Sequence, residues 1–273
     1  MILTFNYKIL TLTFFLLFFT VNKSFSIQDS RIEEGKAAAM SNTSVTLTDI
    51  WSIYHNQAGL GYLEDISVGV FHQSGYIKEQ NIQGISFALP TKTGTIGASY
   101  SYYGYSQYNE MQAGLAYGKS FSKYFAVGLQ LNYLRSHIVG NYGDASTVNF
   151  EIGILSQPIN NLFIGAHVYN PSRSKMEGEE IPTIFNLGIS YLFSEKVMFA
   201  IGTEKDLDNN AIFKVGLDYK LIDFVSLQAG ISTNPSKYSF GIGFHYININ
   251  AHVGFSNHQT LGFTPSFTLS YGF

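Results

Sequence analysis

The sequence predicts an all-β fold, a transmembrane antiparallel up-and-down β-barrel of about fourteen strands with an N-terminal plug or hatch segment in its lumen. Three observations predict it. From Asp65 to Phe273 the chain is a ladder of short segments in which apolar residues alternate with small or polar ones. Charged residues make up only 13% of the chain while aromatics reach 16%, a composition that suits a wall facing lipid and bordered by aromatic girdles. After the N-terminus no run of twenty apolar residues occurs, which excludes membrane crossing by helices. The net charge of −3 and the lack of a basic patch argue against a nucleic-acid partner.

Residues 1–26 read as a secretory signal peptide: Lys8 precedes the apolar stretch Ile9 to Val21, and Ser24-Phe25-Ser26 supplies small residues for cleavage. With no cysteine, the chain has no disulfide, no thiolate metal site and no lipid-acceptor thiol. Residues 27–64 break the ladder. Ile32 to Met40 could form a short helix, Ser44 to Asp49 a strand or turn, and Asp49 to Leu60 carries the only tryptophan, Trp51. A segment this apolar is more comfortable inside a barrel than beneath it, so it is expected to fold into the lumen.

Residues 65–273 form the predicted barrel, with strands near 65–73, 81–89, 94–103, 109–121, 124–137, 146–157, 161–170, 182–193, 197–205, 211–220, 223–232, 237–247, 249–258 and 261–273. Successive side chains of a strand face opposite sides, so Ala211, Phe213, Val215, Leu217 and Tyr219 face lipid while Lys214 and Asp218 face the lumen. A one-residue slip would push those charges into lipid. Turns after even-numbered segments are tight and most links after odd ones are longer. This parity puts both ends of the barrel in the periplasm of an outer membrane and makes the strand number even, twelve or fourteen. Glycines such as Gly97, Gly153, Gly165 and Gly254 recur on the inner face, which either curvature of the wall or room for a plug would explain.

The stretch Gly35 to Asp49 followed by Asn56-Gln57-Ala58-Gly59-Leu60 resembles the N-terminal signature of FadL-like outer-membrane proteins, and within them is most similar to the PorV/PorQ-type proteins of Bacteroidetes. That signature ends Asn-Pro-Ala-Gly-Leu, so Gln57 stands where the family has proline. The chain also lacks the family's long external loops. The resemblance implies a fourteen-strand barrel with a hatch and a role in transport or handling of a small hydrophobic molecule, gated by the plug. Trp51, Tyr54, Asn56, Gln57, Ala58, Gly59 and Leu60 are then the plug residues. The PorV/PorQ likeness implies an alternative, an accessory or cargo-docking role with components of type IX secretion.

Candidate chemistry is sparse. His72 and Ser74 lie two apart beside the first turn, and Ser256-Asn257-His258-Gln259 reads as a loop; a lipid-modifying enzyme built on such a pair is the third and weakest reading. The seven histidines are scattered over separate segments, so no metal or other cofactor is implied and the protein reads as a non-enzyme. Polar residues predicted to face the lumen are Glu151, Glu204, Lys214, Asp218, His245 and His252, and Glu204 could pair with Lys214 across neighbouring strands. They either brace the wall and fasten the plug or line a polar path beside it. The partners expected are outer-membrane lipid, a small hydrophobic ligand and, in the alternative, secretion components.

Overall fold

The computed structural model describes residues 32–77, 79–140, 143–258 and 261–273; the signal-peptide reading of 1–26 lies outside them. Among the described residues fourteen strands close into one antiparallel barrel. They are β1 Ser67–Gln73, β2 Ile82–Thr91, β3 Gly94–Tyr105, β4 Tyr108–Ser122, β5 Phe125–Ile138, β6 Gly143–Ile159, β7 Leu162–Tyr169, β8 Ile184–Ser194, β9 Val197–Asp206, β10 Ile212–Ile222, β11 Val225–Ser232, β12 Lys237–Tyr246, β13 Ile249–His258 and β14 Gly262–Gly272. The seam pairs β1 with β14, Phe71 opposite Thr268, and the Phe273 amide donates to the Ile66 carbonyl at 2.8 Å. Closure leaves no unpaired strand edge in lipid, where each unmet backbone group would cost several kcal/mol.

Alternation sets the two faces. On β5 Leu129, Leu131 and Tyr133 point outward while Ala126, Gly128, Gln130 and Asn132 are buried inside. The outward apolar run on β5 ends at Arg135, and on β6 it begins at Val148 after Asp144 and Ser146. The β5–β6 hairpin therefore stands clear of the hydrocarbon, since about 9–11 residues suffice to cross it. At the opposite rim, where the tight turns and the C-terminus gather, outward rings pair up: Tyr191 with Phe193 at 4.9 Å and Tyr271 with Phe273 at 4.8 Å.

Two details differ from the sequence reading. Ser256 to His258 belong to β13 rather than to a loop, because their backbone continues the ladder with β12 and β14. The long link after β7 holds a small hairpin, Lys175–Met176 paired with Glu179–Glu180, too short to leave an alternating pattern.

Residues 32–64 lie inside the ring of strands and touch its wall on every side. Helix α1, Gly35–Ala39, is capped by Glu34, whose carboxylate accepts from the Ala37 and Lys36 amides at 2.8 and 2.9 Å. After it come α2, Ser52–His55, and a 3₁₀ turn, Gln57–Tyr62. Inner-face glycines let this backbone approach. A side chain at Gly128 would collide with the Gln57–Ala58 backbone, one at Gly230 with Met40–Ser41, and one at Gly254 with α1. Ile50, Trp51, Ile53 and Leu60 pack on Phe71, Ile82, Ala88, Tyr103 and Ala116 of β1 to β4. Trp51 and Tyr54 each meet Phe71 edge-on, at 6.0 and 5.5 Å.

The substitution Gly128→Val places a branched side chain where the Gln57–Ala58 backbone runs. The barrel is expected to form, but with the N-terminal segment unseated. Trp51, the single tryptophan and only 2% exposed, reports this as a red-shifted emission, and proteolysis between residues 32 and 64 should accelerate several-fold.

Candidate functional site

The lumenal segment does not fill the barrel to its loop end. Above it, at the rim opposite the tight turns, a cavity of about 160 Å³ opens. Ile82, Tyr103, Met176, Ile181 and Ile184 give it an apolar upper wall. Its lower boundary is polar: His55 from the lumenal segment, Glu151 and His167 from β6 and β7, and the Glu204–Lys214 pair from β9 and β10. Tyr54 joins the two zones, its hydroxyl donating to the Ile85 carbonyl at 3.1 Å.

Glu151 ties the segment to the wall beneath that cavity. Its Oε2 accepts from Gln57 Nε2 at 2.7 Å and from His167 Nε2 at 2.8 Å, and its Oε1 accepts from Asn132 Nδ2 at 2.6 Å. Because the acceptor is a carboxylate, His167 carries a proton on Nε2. Gln57, at the position where the resemblance expects proline, thus supplies a side-chain anchor; its Nε2 also donates to the Ile53 carbonyl at 3.1 Å. Asn56 spends its whole amide, donating to the Val45 carbonyl within the segment at 2.7 Å and to the Ile154 carbonyl of β6 at 3.0 Å, and accepting from the Ala58 amide at 3.2 Å. Ala58 and Gly59 are small because backbone lies against both: β5 at Ala58, Leu47 at Gly59. Leu60 fills the space left by Gly97 and Gly118.

The other candidates form two further groups. Glu204 and Lys214 meet at 2.5 Å with both side chains buried. Toward the turn end, Lys36 of the lumenal segment bonds Asp218 at 2.9 Å, and Asp218 accepts from Gln228 at 2.8 Å. Next to them His245 contacts Ser226 at 3.0 Å and Asn250 at 2.7 Å, and its ring lies 5.1 Å from that of His252. The sequence reading passed over Gln130, Asn132 and His167, although all share the inward parity of Gly128 or Gly165. It also passed over Glu34, Lys36 and His55, which carry no periodic signal. His72 lies in β1 and pairs with Gln83 and Phe267. Among the described residues no cluster of three metal-ligating side chains occurs.

Burial drives two titratable groups of the segment toward their neutral forms. Burial, reinforced by the nearby charge of Asp49, pushes the Glu34 carboxyl up to about 8 against the pull of its two backbone amides and Lys36. Burial, then repulsion from His167 and Lys214, pushes His55 down to about 3. His55 Nε2 lies 3.8 Å from Glu34 Oε1, too far for a hydrogen bond, and has no other partner.

Solved structures share this architecture. The toluene transporter TodX of Pseudomonas putida superposes with a TM-score of 0.69 at 11% identity, over 90% of this chain and 99% of its own. A FadL homologue from Pseudomonas aeruginosa gives 0.64 at 10%, over 88% and 98%. The monoaromatic hydrocarbon channel CymD gives 0.67 at 10%, over 88% and 97%. At such identities the likeness is one of fold. No protein-family model matches the sequence, and no curated protein matches it.

Replacing Glu151 with Leu strands the donors of Gln57, Asn132 and His167 in a dry interior. The expected loss is about 3 kcal/mol, seen as a lower guanidinium midpoint for the Trp51 signal. Seating of the segment should also follow pH. A carboxyl raised from 4.5 to about 8 stabilises the seated state fully below pH 4.5 and loses that stabilisation as pH climbs toward 8. An imidazole lowered from 6.5 to about 3 stabilises it above pH 6.5 and loses this as pH falls toward 3. Trp51 emission should therefore show tightest seating between pH 4.5 and 6.5, and Glu34→Gln should shrink the alkaline limb, leaving the part carried by Asp49, which burial also raises.

Proposed function

We propose that this protein is an outer-membrane channel for a small hydrophobic molecule, gated by the N-terminal segment acting as a hatch. One observation carries the reading: an apolar-walled cavity at the loop end is floored by a segment that occupies the lumen below it. The fold shared with a toluene transporter and a monoaromatic hydrocarbon channel supports it. In this mechanism the ligand enters at the loop end and rests on Tyr54 and His55. Affinity comes from apolar contact, at about 25 cal/mol per Å² buried. No catalytic residue takes part.

Passage then requires the hatch to move, because inner-face glycines press directly on its backbone around the ring. The side facing β10 to β13 is the candidate for opening. There α1 is held by the Lys36–Asp218 pair, and Ser41 Oγ bonds Ser239 Oγ at 2.9 Å. Facing β4 to β6, by contrast, the hatch is knitted to the wall by Asn56 and Gln57. The gathering of the tight turns and the C-terminus at one rim supports a periplasmic placement of both ends.

Uptake of toluene into proteoliposomes tests the reading. Ser101→Phe, on the cavity wall, should lower the rate about tenfold, and Asp218→Asn, which weakens the α1 tether, should raise it. Uptake that is indifferent to Ser101→Phe would remove the cavity from the route.

A further inference from the structure

The cavity is not matched to a bare hydrocarbon, nor to a carboxylate. Resting on the transport reading above, we infer that its preferred occupant is a neutral, ring-sized molecule bearing one hydroxyl, seated with its apolar body against the upper wall and its hydroxyl at the His55–His167 floor.

Size gives the first limit. An apolar cavity of about 150 Å³ admits benzene, so the space of about 160 Å³ here takes one six-membered ring with a small substituent. The division of the lining gives the second. Met176, Ile181, Pro182 and Ile184 offer apolar contact on one side of the lining, whereas the floor gathers two imidazoles and two carboxylates. A pure hydrocarbon would fill the space above that floor without offering a hydrogen bond to its unpartnered groups, whereas a polar ligand could supply one.

Charge gives the third limit. Glu110, Glu151 and Glu204 border the cavity against one inward-facing cation, Lys214; Arg135 stands on the outward face of β5. Lys214 is engaged by Glu204, and Arg135 bonds Asp144 at 2.8 Å. A carboxylate ligand would meet more negative than positive charge, and the cations are already matched. An ammonium would stand beside Lys214, with the acidic side chains engaged by partners within the protein: Glu110 by the Tyr108 hydroxyl, Glu151 by Gln57, Asn132 and His167, Glu204 by Lys214.

A hydroxyl both donates and accepts. Two ring nitrogens of the floor residues, His55 Nε2 and His167 Nδ1, have no partner; both lie closed within the packing, so a ring must turn before its nitrogen meets a ligand. Since His167 gives its Nε2 proton to Glu151, its Nδ1 in the neutral ring is an acceptor. The His55 ring is the adjustable one. Its Nε2 holds no bond, so it can turn to meet a hydroxyl without losing one there. Burial keeps this imidazole neutral at ordinary pH, and a neutral ring presents one donor or acceptor face as needed.

The test measures binding of four probes sharing one phenyl ring to the full chain in detergent: toluene, benzyl alcohol, benzoate and benzylamine, by calorimetry at pH 7. Benzyl alcohol should bind tightest, on the order of tenfold better than toluene, one good hydrogen bond's worth. His55→Phe should erase that preference while toluene still binds, and His55→Gln, which keeps a donor and an acceptor, should retain most of it. Toluene equal to or tighter than benzyl alcohol would overturn the inference and leave the channel reading standing. Tightest binding by benzoate or benzylamine would overturn the charge argument and the inference with it. Binding of none of the four would overturn both readings. If His55→Phe fails to seat the hatch, by Trp51 emission, the wild-type ranking alone decides.

Discussion

The rest of the structure depends on backbone meeting backbone inside the barrel. A polypeptide segment can enter a fourteen-strand lumen only if its own amides and carbonyls are satisfied and the wall leaves room for them. The second condition is met by deleting side chains: the wall presents glycine where Val45, Asn56, Ala58 and Met40 press against it. The first is met by short-range devices within the segment. Glu34 caps α1, Ser52 Oγ donates to the Leu47 and Asp49 carbonyls at 3.0 and 2.6 Å, and Asn56 closes the turn into the 3₁₀ helix. Glycine in a strand usually weakens it. Here the loss is offset by the surface that the segment buries against those positions.

That arrangement is uneven around the ring. Toward β1 to β6 the contact is apolar and hydrogen-bonded, with Trp51, Ile53 and Leu60 in the packed cluster and Gln57 held by a buried carboxylate. Toward β10 to β13 small side chains and glycines face α1, and the polar ties are the Lys36–Asp218 and Lys237–Glu33 ion pairs, at 2.9 and 3.4 Å, and a hydroxyl pair. The Lys36 and Asp218 side chains keep 16% and 18% of their exposure. A partly hydrated ion pair contributes less than a packed aromatic cluster. The same segment is therefore anchored on one flank and loosely latched on the other, which gives any movement a hinge side and a free side.

How much of this was legible in the sequence follows from periodicity. Strand existence and facing were readable because a two-residue alternation repeats through the ladder, and Phe213 outward with Lys214 inward leaves no choice of register. Glu204 and Lys214 were readable as a pair for the same reason. The partner of Glu151 was not. Gln57 belongs to a stretch with no period, and nothing in a linear pattern states which wall residue a lumenal turn will touch. Glu34 and His55 were invisible for a related reason: their perturbation comes from burial, which only the folded lumen creates. Asn132 and His167 were in reach, since inward parity alone identifies both as polar residues facing the lumen.

The level of the cavity relative to the bilayer explains why its chemistry is mixed. On β5 the outward face changes from Leu131 and Tyr133 to Arg135, while the inward face at the same height carries Leu134 and Ser136 of the cavity lining. At this flank the cavity therefore lies beside the headgroup boundary, where water reaches the rim and polar groups cost little. Across the barrel, β8 and β9 are shorter, and Asn186 and Glu204 of the lining sit level with outward Leu187 and Thr203, closer to hydrocarbon depth. The floor is correspondingly drier and its charges are paired. A molecule descending from the rim moves from a wet, apolar-walled mouth to a dry, polar floor. The hydrogen bonds available at the floor gain strength in that drier setting. On the route proposed above, selectivity would be decided at the floor and entry at the rim.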